Sequence, residues 1–318
     1  LYAKNLIEAH DATDPLFLYV ASNTIHTPLQ VPRSYLSQYN GNGLSTNRKK
    51  ASGMVTATDD LVATIKASLE DKNMWDNTVF IFISDNGGAA TGDEGGASNW
   101  PLRGSKTTYF EGGLRVPSFL YSPLFQGHIK PNTTRLLVPH LDFFPTIIGL
   151  LGGSSSGLDG IDQWESMIDG SSGCQRTRLL HDLTLNQDGS IGKAFYRAGN
   201  YKLMVGDAGH YVSGWYHPDD QADRELAEAY DKSLEYLFDV VNDETELFNL
   251  RYEAAYADIV ANMTADINSY VNTVYDFAAV DNVVPMIALM TTIIGTPVAA
   301  IGLELFCFLS MLQLSNKI

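Results

Sequence analysis

The 318-residue sequence predicts an α/β protein: a mixed sheet with flanking helices and a small C-terminal α+β unit. Three observations carry this reading. Residues 16–21 (LFLYVA) and 78–83 (TVFIFI) are short apolar runs rich in strand formers, each followed by a polar or glycine-rich loop. Between them, Met54, Ala57, Leu61, Ile65 and Leu69 recur every three to four residues, which puts them on one helical face. Beyond about residue 175 the pattern changes to shorter strands.

Taken in order, residues 16–21 read as a buried strand that ends in a loop at 22–28, and residues 50–71 as an amphipathic helix. Residues 78–83 then read as a second buried, parallel strand, bounded by Asp76-Asn77 and by Asp85-Asn86-Gly87-Gly88. Strand, helix and strand make a βαβ unit, whose ligands bind outside the carboxyl ends of the strands. That places function in loops 22–28 and 84–99, the second of which also holds Asp93 and Glu94. A strand pattern resumes over 114–121 before Pro123. A helix follows over 143–151, with Asp142 as N-cap, Pro145 in its first turn and Gly152 at its end. Strands over 194–197, 202–205 and 236–240 and a helix over 254–270 complete the small unit.

A formal net charge of −16 disfavours nucleic acid and anionic membrane surfaces as general partners, so an anionic substrate needs locally arranged positive charge. Cys174 and Cys307 are too few for a disulfide framework and lie in no metal-ligand spacing. Asn132-Thr133-Thr134 and Asn262-Met263-Thr264 are N-glycosylation sequons.

Asp85 and Asn86 offer a carboxylate and an amide oxygen at a strand end, which suits a hard cation such as Ca²⁺; the same four residues are also ordinary turn chemistry. His26 follows the first strand, where an imidazole can donate a hydrogen bond or move a proton. Lys106 offers a point charge, or is a surface lysine.

Four segments, Thr24-Ile25-His26-Thr27-Pro28, Ser84-Asp85-Asn86-Gly87-Gly88, Asn99-Trp100-Pro101-Leu102-Arg103-Gly104-Ser105-Lys106 and Glu111-Gly112-Gly113-Leu114-Arg115-Val116-Pro117, resemble successive motifs of the sulfatase family. The resemblance continues through His140 to Thr146, Leu158-Asp159-Gly160, Leu237-Phe238-Asp239 and Asn249-Leu250, covering about residues 1–280. Its wording around Asn99 and Glu111 is most similar to the arylsulfatase B-like branch. It implies an alkaline-phosphatase-like sheet and Ca²⁺-dependent hydrolysis of aryl or carbohydrate sulfate esters. In that scheme Asp85 and Asn86 are metal ligands, and His26 and Lys106 are catalytic residues that contact the sulfate group. Arg103, Glu111 and Arg115 are expected to form an ion-paired scaffold, Gly112 and Gly113 to permit a turn, and His140 and Asp142 to cap and pack.

The resemblance also implies a formylglycine made from Cys or Ser within a Cys/Ser-x-Pro-x-Arg sequence. None occurs in these 318 residues, so that nucleophile and the remaining metal ligands are expected upstream of Leu1, and the chain alone is expected to be inactive. A catalytically inactive, sulfatase-like binding protein is the alternative. A phosphate-ester hydrolase of the related alkaline-phosphatase group is disfavoured by the wording from Trp100 to Lys106. The expected division is 1–174 as the later part of the catalytic domain, 175–282 as the α+β unit and 283–318 as an apolar tail. Within that tail, 283–303 is a 21-residue uncharged stretch long enough to span a bilayer, so a membrane association through 283–312 stands beside a buried tail. The expected location is lysosomal or extracellular.

Overall fold

A computed structural model describes residues 2–41, 43–91, 95–125, 136–169, 176–218, 234–273 and 307–313. Asp93, Glu94, the Asn132 sequon, Cys174 and residues 283–306 of the apolar tail lie outside the described residues. Among the described residues no helix is long and apolar enough to cross a membrane.

The first sheet contains β1 (Phe17–Ser22), β2 (Thr78–Ile83), β3 (Ser118–Tyr121) and β8 (Cys307–Gln313) in the order β1-β8-β2-β3. β8 pairs antiparallel with both β1 and β2, Ser22 and Ile83 facing Cys307 and Phe308 respectively. β1 and β2 therefore run in the same direction and finish at one edge, as the βαβ reading requires, yet they are not hydrogen-bonded neighbours. Every ladder among the described residues is antiparallel. The parallel relation of the βαβ reading holds in direction but not as a hydrogen-bonded ladder, because residues 307–313, which follow the stretch read as membrane-length, enter the sheet between the two strands.

The predicted helix is α3 (Thr46–Asp71), whose first turn is capped by the Ser45 hydroxyl accepting from the Arg48 amide. Its Ile65 and Leu69 are fully buried against Ile7 of α1 (Tyr2–Ala9) and against Met74, Trp75 and Phe80, with Leu18 and Val20 of β1 packed alongside. Burying a side chain such as Ile65 stabilises by about 1.5–3 kcal/mol. β1 is not a fully buried strand. Its burial alternates, and Phe17 and Tyr19 are 54% and 40% exposed. β2 is covered on both faces: Phe80 meets the α3 side, and Val79 and Ile81 meet Phe143, Ile147 and Leu150 of α5 (Phe143–Leu150). A short α2 (Arg33–Leu36) packs on α3, while α4 (Glu111–Leu114) precedes β3 and α6 (Trp164–Asp169) follows α5.

Asp142 occupies the N-cap position of α5, but its side chain makes no capping hydrogen bond. Its carboxylate is fully buried, accepts two hydrogen bonds from the Arg176 guanidinium at 2.7 and 2.8 Å, and also accepts from Gln163 and the Ile161 amide. A planar guanidinium and a carboxylate match in geometry, and that long-range pairing outweighs the local capping position.

The second sheet has the order β4-β5-β6-β7: β4 (Arg178–Leu185), β5 (Ile191–Ala198), β6 (Tyr201–Val205) and β7 (Glu235–Asp239), antiparallel throughout. One face buries Ala194, Tyr196, Leu203 and Leu237 under Val260, Met263 and Ile267 of α7 (Ala257–Tyr270). The other face buries Phe195, Met204, Tyr236 and Phe238 against Phe110, which belongs to the loop leading into α4. That contact fastens the second sheet to the loop carrying Lys106. β4 is absent from the sequence reading because its charged residues Arg178 and Asp182 interrupt the apolar pattern.

Candidate active site

β1 and β2 deliver their loops to the same edge. After β1, the Thr24 hydroxyl lies 2.6 Å from that of Ser22 and accepts from Thr58 of α3 at 2.7 Å, which ties the loop to the helix. His26 is half-buried in this loop. Its Nδ1 lies 2.8 Å from the Thr27 carbonyl, and a carbonyl can only accept, so the partner assigns the proton to Nδ1. Nε2 then presents a lone pair, and Lys106 Nζ stands 3.1 Å from it although 80 residues separate the two in sequence.

After β2, Ser84 to Gly88 form a tight turn. The Ser84 hydroxyl donates to the Asn86 carbonyl, and the Asn86 amide donates to Asp85 Oδ1 at 2.9 Å. His140 Nε2 donates to the Ser84 carbonyl at 2.9 Å, so His140 braces the residue before Asp85 rather than serving only to open a helix. The Lys106 amide donates to the Gly88 carbonyl at 3.1 Å, and the Asn99 side chain clasps Gly88 by both its amide and its carbonyl. Lys106 is thereby fixed to Gly88, which lies two residues after Asn86. The Gly87 amide donates to the Gly113 carbonyl, and a Cβ at Gly87 would strike the backbone of Gly112. Gly112 and Gly113 lie within α4, and their role is close approach rather than a special turn.

Asp85 Oδ2 and the Asn86 side chain have no protein partner among the described residues, and both residues are half-buried. One carboxylate and one amide oxygen fit a hard cation in kind but not in number, since Ca²⁺ takes six to eight oxygens. No group of three or more His, Cys, Asp or Glu side chains among the described residues could hold a metal ion. Asp85 and Asn86 therefore fit as part of a ligand set.

The Lys106 loop is anchored on both sides by β6 of the second sheet and by the segments that follow β6 and β7. Ahead of it, the Gly104 amide donates to Gly214, and buried Arg103 donates to the Ser213 carbonyl while its guanidinium packs 4.1 Å from the Phe110 ring centroid and 4.8 Å from that of Trp215. Behind it, the Tyr109 amide donates to Ala208, and the Tyr109 hydroxyl donates to Asp182. Lys202 of β6, wholly buried, donates to the Tyr109 carbonyl at 3.0 Å and to Glu111 Oε1 at 2.8 Å, and its Nζ stands 2.6 Å from Glu246 Oε1. The last contact is off the line of a hydrogen bond and acts as an ion pair. Glu246 Oε2 accepts from the Glu111 amide at 2.6 Å.

Burial pushes the Glu246 carboxyl up to about 7, against the pull of Lys202. Burial also works to raise Glu111, but Lys202 prevails and holds it below the usual carboxylate range. Lys202 is raised because its two carboxylates outweigh its desolvation. Desolvation and the Lys202 charge bring His181 down to about 4. Of the expected ion-paired scaffold, Glu111 pairs with Lys202 and Arg115 makes an exposed pair with Glu244 at 2.6 Å, while Arg103 holds its place by donating to backbone carbonyls of Ser213 and Glu246 and by packing on aromatic rings. Sequence reasoning missed Lys202 and Glu246. A lysine inside the strand pattern YKLMV was the available signal.

The sulfatase family pattern matches residues 2–154. The chain is 34% identical over 232 residues to arylsulfatase J of Mus musculus, covering 68% of this chain and 37% of that protein. It is 33% identical over 174 residues to N-acetylgalactosamine-6-sulfatase of Sus scrofa, covering 53% of this chain and 31% of that protein. The chain thus spans about a third of the length of these two relatives. Among solved structures, Ps i-CgsB in complex with k-i-k-neocarrahexaose superposes with a TM-score of 0.59 at 24% identity, covering 78% of this chain and 48% of that one. The fold is alkaline-phosphatase-like, and by its ordered motifs and these similarities the chain belongs to the sulfatase family.

Proposed function

We propose that this chain is the portion of a sulfuric ester hydrolase that holds the sulfate group and part of a Ca²⁺ site, acting on an aryl sulfate or a sulfated carbohydrate. The observation that carries the reading is the meeting of Lys106 Nζ and His26 Nε2 at 3.1 Å, beside the Asp85–Asn86 turn. Asp85 and Asn86 would contribute two oxygens to the cation, which when bound neutralises charge on sulfate oxygens. Lys106 supplies positive charge to an anion in an otherwise acidic protein, and His26 Nε2 is placed to hold or move a proton at the ester or sulfate oxygen. The names of the relatives, arylsulfatase J and N-acetylgalactosamine-6-sulfatase, support both substrate classes.

The 318-residue chain has no Cys/Ser-x-Pro-x-Arg sequence for a formylglycine, which favours a second reading for the chain on its own: anion binding without turnover. We take the division at 174/175 to separate the site-bearing part from the α+β unit. A lysosomal or extracellular location is supported by the sequon at Asn262, where Asn262 and Thr264 lie exposed on α7. The apolar stretch of the tail keeps membrane association as a proposal.

The test is aryl-sulfate hydrolysis by the longer parent protein, with Lys106→Ala and His26→Ala variants and the 318-residue chain alone as a control. The expected result is a loss of about 10²-fold or more in each variant and no turnover above buffer by the chain alone. Undiminished turnover in both variants would overturn the assignment.

A further inference from the structure

We infer that the buried Lys202–Glu111–Glu246 cluster sets where Lys106 stands against His26 and the Asp85–Asn86 turn, making Lys202 of β6 and Glu246 of the segment after β7 positioning residues for the anion site. The inference rests on the reading of Lys106 and His26 as that site.

The Lys106 loop runs from Arg103 to Gly113 between two neighbours. On one side are Gly87 and Gly88 of the Asp85 turn, bonded to Gly113 and Lys106. On the other side are Lys202 of β6 and the segments that follow β6 and β7, which take hold at Gly104, Tyr109 and Glu111. With both ends held, the loop keeps a shape that its local chemistry disfavours. Thr107, directly after Lys106, sits at φ 73°, a left-handed conformation that is a genuine outlier for a β-branched residue. Glu246 sits at φ 54°, and both of its carboxylate oxygens are committed to this joint. Such strain persists only where the surroundings over-determine it. A lysine reaching 3.1 Å from an imidazole must be placed closely, and a shift of about 1 Å in a positioned group can cost 10²-fold.

The test uses the full 318-residue chain with the paired substitution Lys202→Met and Glu246→Gln, which removes one positive and one negative charge together. Lys202→Arg serves as the charge-preserving variant. Inorganic sulfate affinity is measured by amide chemical shifts at a temperature where each variant is more than about 95% folded. Spin labels at Lys106→Cys and Asp59→Cys, with Cys174 and Cys307 replaced by serine, report the loop's position against α3. The expected result is sulfate affinity weakened about fivefold or more, a broadened label distance in the paired variant, and partial recovery in Lys202→Arg. A merely structural role predicts a lower melting temperature with affinity and label distance unchanged, and that result overturns the inference. If Lys106→Ala leaves sulfate affinity unchanged, the anion-site reading fails on its own, and the label distance alone decides whether the cluster positions the loop.

Discussion

The two sheets treat charge in opposite ways. At the edge of the first, Asp85, His26 and Lys106 are half-buried and lightly partnered, with side-chain atoms left open to a ligand. Inside the contact with the second, Lys202, Glu111 and Glu246 are sealed from solvent and satisfied by one another and by backbone. Exchanging the first group should cost the fold little and the proposed chemistry much, whereas exchanging the second should cost the fold heavily and reach the site only through the loop it holds. A site built on short loops gains precision from a rigid support behind it.

That contrast breaks first at Lys202. Lys202→Met alone leaves Glu111 and Glu246 buried without their cation and should cost about 3–5 kcal/mol in denaturant unfolding, whereas Lys106→Ala should stay within about 0.5 kcal/mol. Comparable losses would dissolve the distinction. In the first sheet's own core, Ile65→Ala should cost about 2–5 kcal/mol by the same measurement, since its fully buried side chain leaves a cavity between α1 and α3.

A smaller effect appears in the pH dependence of stability. Glu246 is raised to about 7, so its contribution is fully present below the unfolded carboxylate value and is lost as pH rises through about 7. His181 is lowered to about 4, so its contribution is present above the ordinary histidine value and is lost as pH falls from there toward 4. The two oppose each other between about pH 4.5 and 6.5. Glu246→Gln should make stability rise more steeply with pH in that window, and His181→Asn should make it fall. Thermal melts at pH 5, 6 and 7 read the sign, and parallel curves for the two variants would contradict the assignments.

What the sequence made legible followed from local rules. Runs of β-branched and aromatic residues marked β2, helical spacing marked α3, and the DNGG turn marked the loop after β2. The positioning machinery depends on partners far along the chain, which local patterns do not register. Lys202 meets Glu111 across 91 residues, and Arg176 claims Asp142 from a position that looked like a cap. β8 was hidden for another reason: the interior of a sheet and the interior of a bilayer select similar apolar composition, so the run over 283–312 left a membrane association and a buried tail side by side. β1 was overread as buried because continuity of apolar residues does not say whether both faces are covered.

The central claim is that His26, Lys106, Asp85 and Asn86 form one site for an anion and a cation together. Amide chemical-shift titration of the chain with calcium chloride and then with sodium sulfate tests it directly. The account predicts that both ions shift Gly88 and Lys106, whose backbones are bonded to each other. Asp85→Ala should remove the calcium response, and Lys106→Ala should remove the sulfate response. Responses at separate places in the fold, or a sulfate response that survives Lys106→Ala, would contradict it.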